Sequence, residues 1–134
     1  MTDDELIKAK LHKVEAMFSK LDMAGWLACF HAARVMVLPG FAFMPSTVEE
    51  CEALAGPYVQ ALRAKGFDRT QLGRVGIRYL TDSTALVTAL WTRYGGSEVL
   101  EALGATYLFL KCDGDWQITM VTTHGIEAAE PALA

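Results

Sequence analysis

The chain has 134 residues, 52% of them hydrophobic, which is the size and content of one domain with one buried core. Its formal charge of −4, with basic residues scattered rather than clustered, leaves no electrostatic footprint for nucleic acid or an anionic membrane. Cys29, Cys51 and Cys112 are odd in number and lack both C-x-x-C and histidine-paired spacing, which argues against a disulfide framework or a zinc site and fits a reducing compartment.

The first residues, Thr2-Asp3-Asp4-Glu5, are acidic where an export signal needs a basic region, and no apolar run approaches membrane-spanning length. A cytoplasmic location is therefore expected. Thr2 and Glu5 also stand at capping-box spacing, and Leu6, Ile7, Leu11, Val14, Phe18 and Leu21 recur at helical intervals, predicting a helix over 3–20. Asp22 can cap a second, short helix with Met23, Trp26, Leu27 and Phe30 on one face, ending near His31.

Residues 34–43, rich in valine and aromatics but broken by Pro39-Gly40, read as a short edge strand or hairpin. Overlapping capping boxes in Ser46-Thr47-Val48-Glu49-Glu50 open a third helix that turns Val48, Cys51, Leu54, Ala55, Tyr58 and Leu62 inward and stops at Gly66. Pro57 removes a backbone bond inside it, so a kink or break is expected at Gly56-Pro57. From Asp68 the apolar period becomes two. Turn signals at 81–84, Gly95-Gly96 and Asp113-Gly114 divide the remainder into four long strands joined as a meander. Residues 1–126 thus form a single domain, and 127–134, with little to bury, a frayed tail.

Two-residue turns at Gly95-Gly96 and Asp113-Gly114 would put Tyr79, Thr88, Leu90, Glu101, Tyr107, Phe109, Met120 and His124 on one overwhelmingly apolar face, against the helices. The opposite face would then carry Trp91, Arg93, Leu100, Leu108 and Leu110 among arginines and threonines. That mixed surface suggests a two-fold homodimer, unless the C-terminal tail or a loop covers it.

The stretches Ala85-Leu-Val-Thr-Ala-Leu-Trp91-Thr-Arg93, Ala105-Thr-Tyr107-Leu-Phe-Leu-Lys111 and Asp113-Gly-Asp-Trp116-Gln-Ile118 carry a resemblance. They resemble the paired central strands and "DGxWxI" final hairpin of the nuclear transport factor 2-like superfamily, which includes SnoaL-like proteins and ketosteroid isomerases. The resemblance covers nearly the whole chain. It implies an α+β cone, in which N-terminal helices pack on a curved, mainly antiparallel sheet around a pocket, with a dimer through the convex face. It transfers architecture and not a reaction, because the superfamily spans isomerases, dehydratases, cyclases and transport adaptors.

On the expected inner face, His124 would pair with Leu103, one diagonal step from Glu101, and a carboxylate beside an imidazole is a general acid/base arrangement. Glu101 and His124 are the catalytic candidates, although a bulge at Gly104 would turn Glu101 away. Trp26, His31, Tyr58, Tyr79, Tyr107, Phe109 and Met120 are the candidates to contact a ligand, the tyrosines as hydroxyl donors to a carbonyl. Arg93 is expected to pair with Glu98 across the hairpin. The ketosteroid-isomerase base has no counterpart, since 34–43 holds no carboxylate. The expected function is cofactor-independent, metal-free binding of an apolar carbonyl metabolite, with isomerase, cyclase or dehydratase chemistry. The alternative is a non-catalytic dimeric interaction module whose cone is filled by side chains.

Overall fold

Thr2 caps the first helix as its spacing requires: its side chain accepts the Glu5 N–H, and α1 runs Asp3–Ser19 with Ile7, Leu11, Val14 and Phe18 buried. The computed structural model describes residues 1–133. Asp22 caps α2 (Met23–Leu27) by accepting from Gly25. The chain then enters β1 (Phe30–Leu38) three residues later, so Phe30 and His31 belong to a strand and not to the end of the second helix. β-branched and aromatic content in this stretch outweighs the helical spacing of Phe30.

A tight reversal at Pro39-Gly40, with Gly40 at φ +86°, leads to β2 (Phe41–Phe43) and then α3 (Val48–Ala64), capped by Thr47. The expected break at Pro57 does not occur. α3 is continuous through it, and both Pro57 and Ala53, whose carbonyl the proline leaves without its helical donor, face solvent, where water can take that bond.

The remaining strands are β3 (Arg69–Thr81), β4 (Thr84–Gly95), β5 (Glu98–Cys112) and β6 (Asp115–His124). They form the expected meander inside a six-stranded sheet of order β2-β1-β6-β5-β4-β3, mainly antiparallel, with β1 beside β6 in parallel. At the last hairpin Asp113 and Gly114 both take positive φ, +52° and +80°, the backbone that a two-residue turn matched to the strand twist demands. α1, α2 and α3 cover the concave face. One core joins Ile7, Leu11 and Leu27 to Val87, Phe109, Trp116 and Ile118.

Two register breaks decide which residues face inward. At the β4–β5 hairpin Gly95 pairs with Glu98 and Tyr94 with Val99, but Arg93 pairs with Glu101, leaving Leu100 as an extra residue. The turn is thus displaced and bulged relative to the expected Tyr94–Ser97 register. The net shift is odd, so all of β4 changes face: Val87, Ala89, Trp91 and Arg93 point to the helices. In β6, Ile118 pairs with Phe109 but Met120 with Leu108, with Thr119 extra. From there outward Val121 faces the core, while Met120, Thr122 and His124 face away.

The C-terminal segment is not frayed. Ile126–Leu133 forms a helix, α4, that packs on β3, β4 and β5 with Ala129 fully buried. Its seat consists of glycines on the convex face: a Cβ on Gly76 would lie 2.1 Å from the Ala132 carbonyl oxygen, and one on Gly104 would lie 3.0 Å from the Ala129 Cβ. Arg74 clamps Glu130 through both carboxylate oxygens at 2.8 and 2.9 Å. Composition alone hid this docking because the partner is a groove of missing side chains. Among the described residues, no helix is long and apolar enough to cross a membrane.

Candidate functional site

Ala105 is a small residue on the inner face of β5, and above it the helices and sheet do not meet. The space is an open cavity of about 380 Å³, within the range of small-molecule sites. Val14 and Phe18 of α1, Trp26 of α2, Met36 of β1, and Trp91 and Leu103 of the sheet supply much of its apolar wall. Phe41, Leu54 and Tyr58 line it too and are 52%, 48% and 40% exposed, which puts the mouth between the β1–β2 hairpin and α3. Cys51 lies in the wall, its thiol pushed up in pKa by burial.

The polar groups in this cavity are few and ordered. Arg93, only 8% exposed, donates from Nε to the Tyr58 hydroxyl at 2.7 Å and from Nη1 to Thr70 Oγ1 at 3.2 Å. Tyr58 in turn donates to Glu101 Oε2 at 2.7 Å, and Arg93 Nε lies 3.5 Å from that same oxygen. The guanidinium stacks over Phe18, 4.3 Å from the ring centroid. Thr70 is itself anchored, since its N–H donates to Ser19 Oγ and its carbonyl accepts from that hydroxyl. Burial pushes the Tyr58 hydroxyl up to about 12, with the Arg93 charge and hydrogen bond opposing and Glu101 adding to the rise. It is a proton donor at neutral pH.

A second polar point lies deeper. Trp91 Nε1 donates to the Tyr107 hydroxyl at 3.0 Å, and among the described residues no acceptor takes the Tyr107 proton. Tyr107 is 4% exposed and lines the cavity; burial holds its pKa well above the usual tyrosine range. An unspent donor in an apolar cavity is a place for a guest's carbonyl oxygen.

Of the residues singled out in the sequence, Trp26, Tyr58, Tyr107 and Glu101 come together at this cavity. The others do not. His124 is separated from Glu101 by the sheet itself, because the extra residue at Thr119 pairs it with Gly104 and turns it to the convex side. There its Nδ1 donates to the Gly125 carbonyl at 3.0 Å and its Nε2 accepts the Thr106 hydroxyl at 2.7 Å. The expected Glu101–His124 pair therefore does not form. Met120 turns outward with it. His31, on β1, accepts the Ala33 N–H. Tyr79 is 43% exposed and donates to Asp4. Phe109 is fully buried, within the core.

Trp91 and Arg93, assigned from sequence to an outer dimer face, are instead the inner wall and its cation, and Arg93 pairs with Glu101 rather than Glu98. A local signal for this exists in β4: in the set Ala85, Val87, Ala89, Trp91 the indole nitrogen is the single polar side-chain atom, whereas Leu86, Thr88, Leu90, Thr92 holds two threonines. Thr70 carries no signal, being a lone threonine at a strand start. Among the described residues, no group of three or more histidine, cysteine, aspartate or glutamate side chains is arranged to hold a metal ion.

Residues 4–126 match the family described as NTF2-like protein (DUF6841). No curated protein matches the sequence. Among solved structures, an NTF2-like protein with a cystatin-like fold from Novosphingobium aromaticivorans superposes with a TM-score of 0.77 at 15% identity, covering 98% of this chain and 89% of that one. An NTF2-like protein from Shewanella oneidensis gives 0.72 at 17% identity, over 91% and 98%. A candidate scytalone dehydratase from Novosphingobium aromaticivorans gives 0.63 at 14%, over 90% and 82%. At such identities the likeness carries the fold and no chemistry.

Proposed function

The chain belongs to the NTF2-like proteins, and from that premise we propose that it is a cytoplasmic, SnoaL-like protein that binds an apolar carbonyl metabolite in the cavity and transfers a proton on it. The observation that carries this reading is that unspent donors and an unspent acceptor line one otherwise apolar space. Tyr107 has a hydroxyl proton and Arg93 has Nη2 without acceptors among the described residues, while Glu101 Oε1 accepts from none. The carbonyl oxygen of the guest takes a hydrogen bond from Tyr107. Glu101 removes a proton from the carbon next to that carbonyl, and the electron pair of the broken C–H bond moves onto the carbonyl oxygen, where preorganised donors stabilise it. Return of the proton at another carbon is isomerisation, the simplest outcome of such a step. The open cavity favours this reading over a filled interaction module.

The test combines binding with isotope exchange. A thermal-shift screen of apolar ketones, lactones and steroids, with aromatic acids as charged comparators, identifies guests, since ligand at about a hundred times its Kd adds ~2.7 kcal/mol and moves Tm by several degrees. A ketone hit is then incubated in D2O. Deuterium entering next to the carbonyl with the wild type and not with Glu101→Gln, together with weaker binding by Tyr107→Phe, is the expected result. Binding without exchange reduces the protein to a carrier, and absence of any ketone hit refutes the carbonyl assignment.

The two-fold dimer belongs to the proposal in amended form. With Trp91 and Arg93 inside and α4 over part of the convex face, the contact rests on half-buried Leu86, Leu108 and Met120. Leu108→Arg is expected to turn a dimer into a monomer by light scattering, and a monomeric wild type ends the idea.

A further inference from the structure

A nearly buried arginine facing an apolar cavity would ordinarily make that cavity a carboxylate site, since a guanidinium pairs with a carboxylate through two parallel hydrogen bonds. Three features of Arg93 decide otherwise. Its Nε is spent on Tyr58 and its Nη1 on Thr70. Its charge is matched by Glu101, 3.5 Å from Nε and joined to it again through the Tyr58 hydroxyl. Its Nη2 makes no hydrogen bond within the described residues, yet no fully buried side-chain polar atom among them lacks a partner. Nη2 is therefore not sealed in; it keeps access to the cavity or its mouth.

We infer that Glu101 sets the charge selectivity of the cavity: by neutralising Arg93 it makes the pocket accept neutral carbonyl guests and reject carboxylates of the same shape. This rests on the reading of the cavity as a carbonyl site and specifies which guests that site takes. The physical reason is the cost of a net charge in a poorly solvated place. With Glu101 present, an incoming carboxylate finds a cation already satisfied and a like charge beside it, and it must give up its own hydration to enter. A ketone oxygen needs only one donor and loses little. Removing the Glu101 charge leaves Arg93 with no counter-ion in the cavity, and a carboxylate guest then becomes the counter-ion. Tyr58 remains beside it as a donor. Selectivity of this kind is written as much in the repulsive group as in the attractive one.

The experiment uses one matched pair of probes, 2-acetylnaphthalene and 2-naphthoate, whose ring systems are the same and whose charges at pH 7.5 differ by one. Affinities are measured by titration calorimetry for the wild type, Glu101→Gln and Glu101→Met. The second substitution removes the charge without leaving an amide, so the result does not hang on the folding or hydrogen bonding of one variant. The expected result is that the wild type binds the ketone at least tenfold tighter than the acid, and that both variants move the ratio toward the acid by tenfold or more. Adding Arg93→Gln to either variant is expected to abolish the gained acid binding. A wild type that takes both probes equally, or variants with an unchanged ratio, overturns the assignment of selectivity to Glu101 while leaving the cavity a carbonyl site. Failure of both probes to bind any of the proteins overturns the carbonyl reading and this inference with it.

Discussion

Ala89 and Ala105 face each other across β4 and β5 on the concave side of the sheet, and both are buried, at 0% and 2% exposure. Only Ala105 borders the cavity. Replacing each by leucine therefore tests the cavity with a built-in control. At Ala105 three added carbons enter open space, and at ~0.8 kcal/mol per buried methylene the gain is at most about 2.4 kcal/mol. A net stabilisation of about 1–2 kcal/mol is expected once side-chain ordering is subtracted. At Ala89 the same carbons meet packed neighbours, and a loss of about 1–3 kcal/mol is expected from overpacking. Urea unfolding at 25 °C with an unchanged m-value reads both signs directly. Ala105→Leu should also weaken ketone binding, because it occupies the guest's space. A destabilised Ala105→Leu protein of intact m-value would refute the existence of that space in solution, and with it the ligand-binding reading.

Gly76→Ala drives a methyl group against the backbone of the last turn of α4, so amide exchange over 126–133 should accelerate by tenfold or more while the sheet core keeps its protection; unchanged exchange would mean α4 is not seated there. The Trp116 indole N–H and then the Lys111 ammonium hold the Asp3 carboxyl below the usual carboxylate range. A depressed folded-state pKa contributes stability above the unfolded value of about 4 and loses it as pH falls through the folded one. The Tm difference between wild type and Asp3→Asn should therefore be largest near neutrality and vanish toward acid, and a difference independent of pH would count against it. Tyr58, pushed up to about 12 by burial, has the opposite sense. Its contribution is complete below an unfolded pKa of about 10 and disappears as pH rises toward 12, so the tyrosinate absorbance that develops near pH 10 should be the same in the wild type and in Tyr58→Phe, and a loss of one group from that region in the variant would refute the shift.

Local chemistry was the legible part of this chain. Thr2, Asp22 and Thr47 were readable as helix caps because a cap is decided within three residues, and Asp113-Gly114 as a hairpin turn because both positions must accept positive φ. The meander and the cone followed from those marks and from the resemblance they support. Facing was less legible. The inward set of β4 was inverted by a displaced turn and an extra residue at Leu100, and that of β6 by Thr119, neither of which alters the alternation seen in sequence. A one-residue error in register exchanges the two faces of a strand, so Glu101 was placed in the cavity correctly while its expected partner was not. Pro57 misled in the other direction, since an exposed helix face tolerates a missing bond that a buried one would not. The seat of α4 was invisible because Gly76 and Gly104 signal by what they lack.

The extra residue in β6 also bears on how such a cavity changes over evolutionary time. Because β6 counts its residues in twos, the wall it offers depends on parity as well as on identity. Loss of Thr119 itself would iron out the strand and leave Val121 and Thr123 facing inward as before. Loss of a single residue beyond it, such as Thr122, would instead rotate His124 from the outer surface into the interior, opposite Ala105 and one diagonal step from Tyr107. An imidazole could thus be gained by a cavity that has none without a single substitution. Insertions and deletions within β6 are, for this fold, edits of chemistry rather than of length.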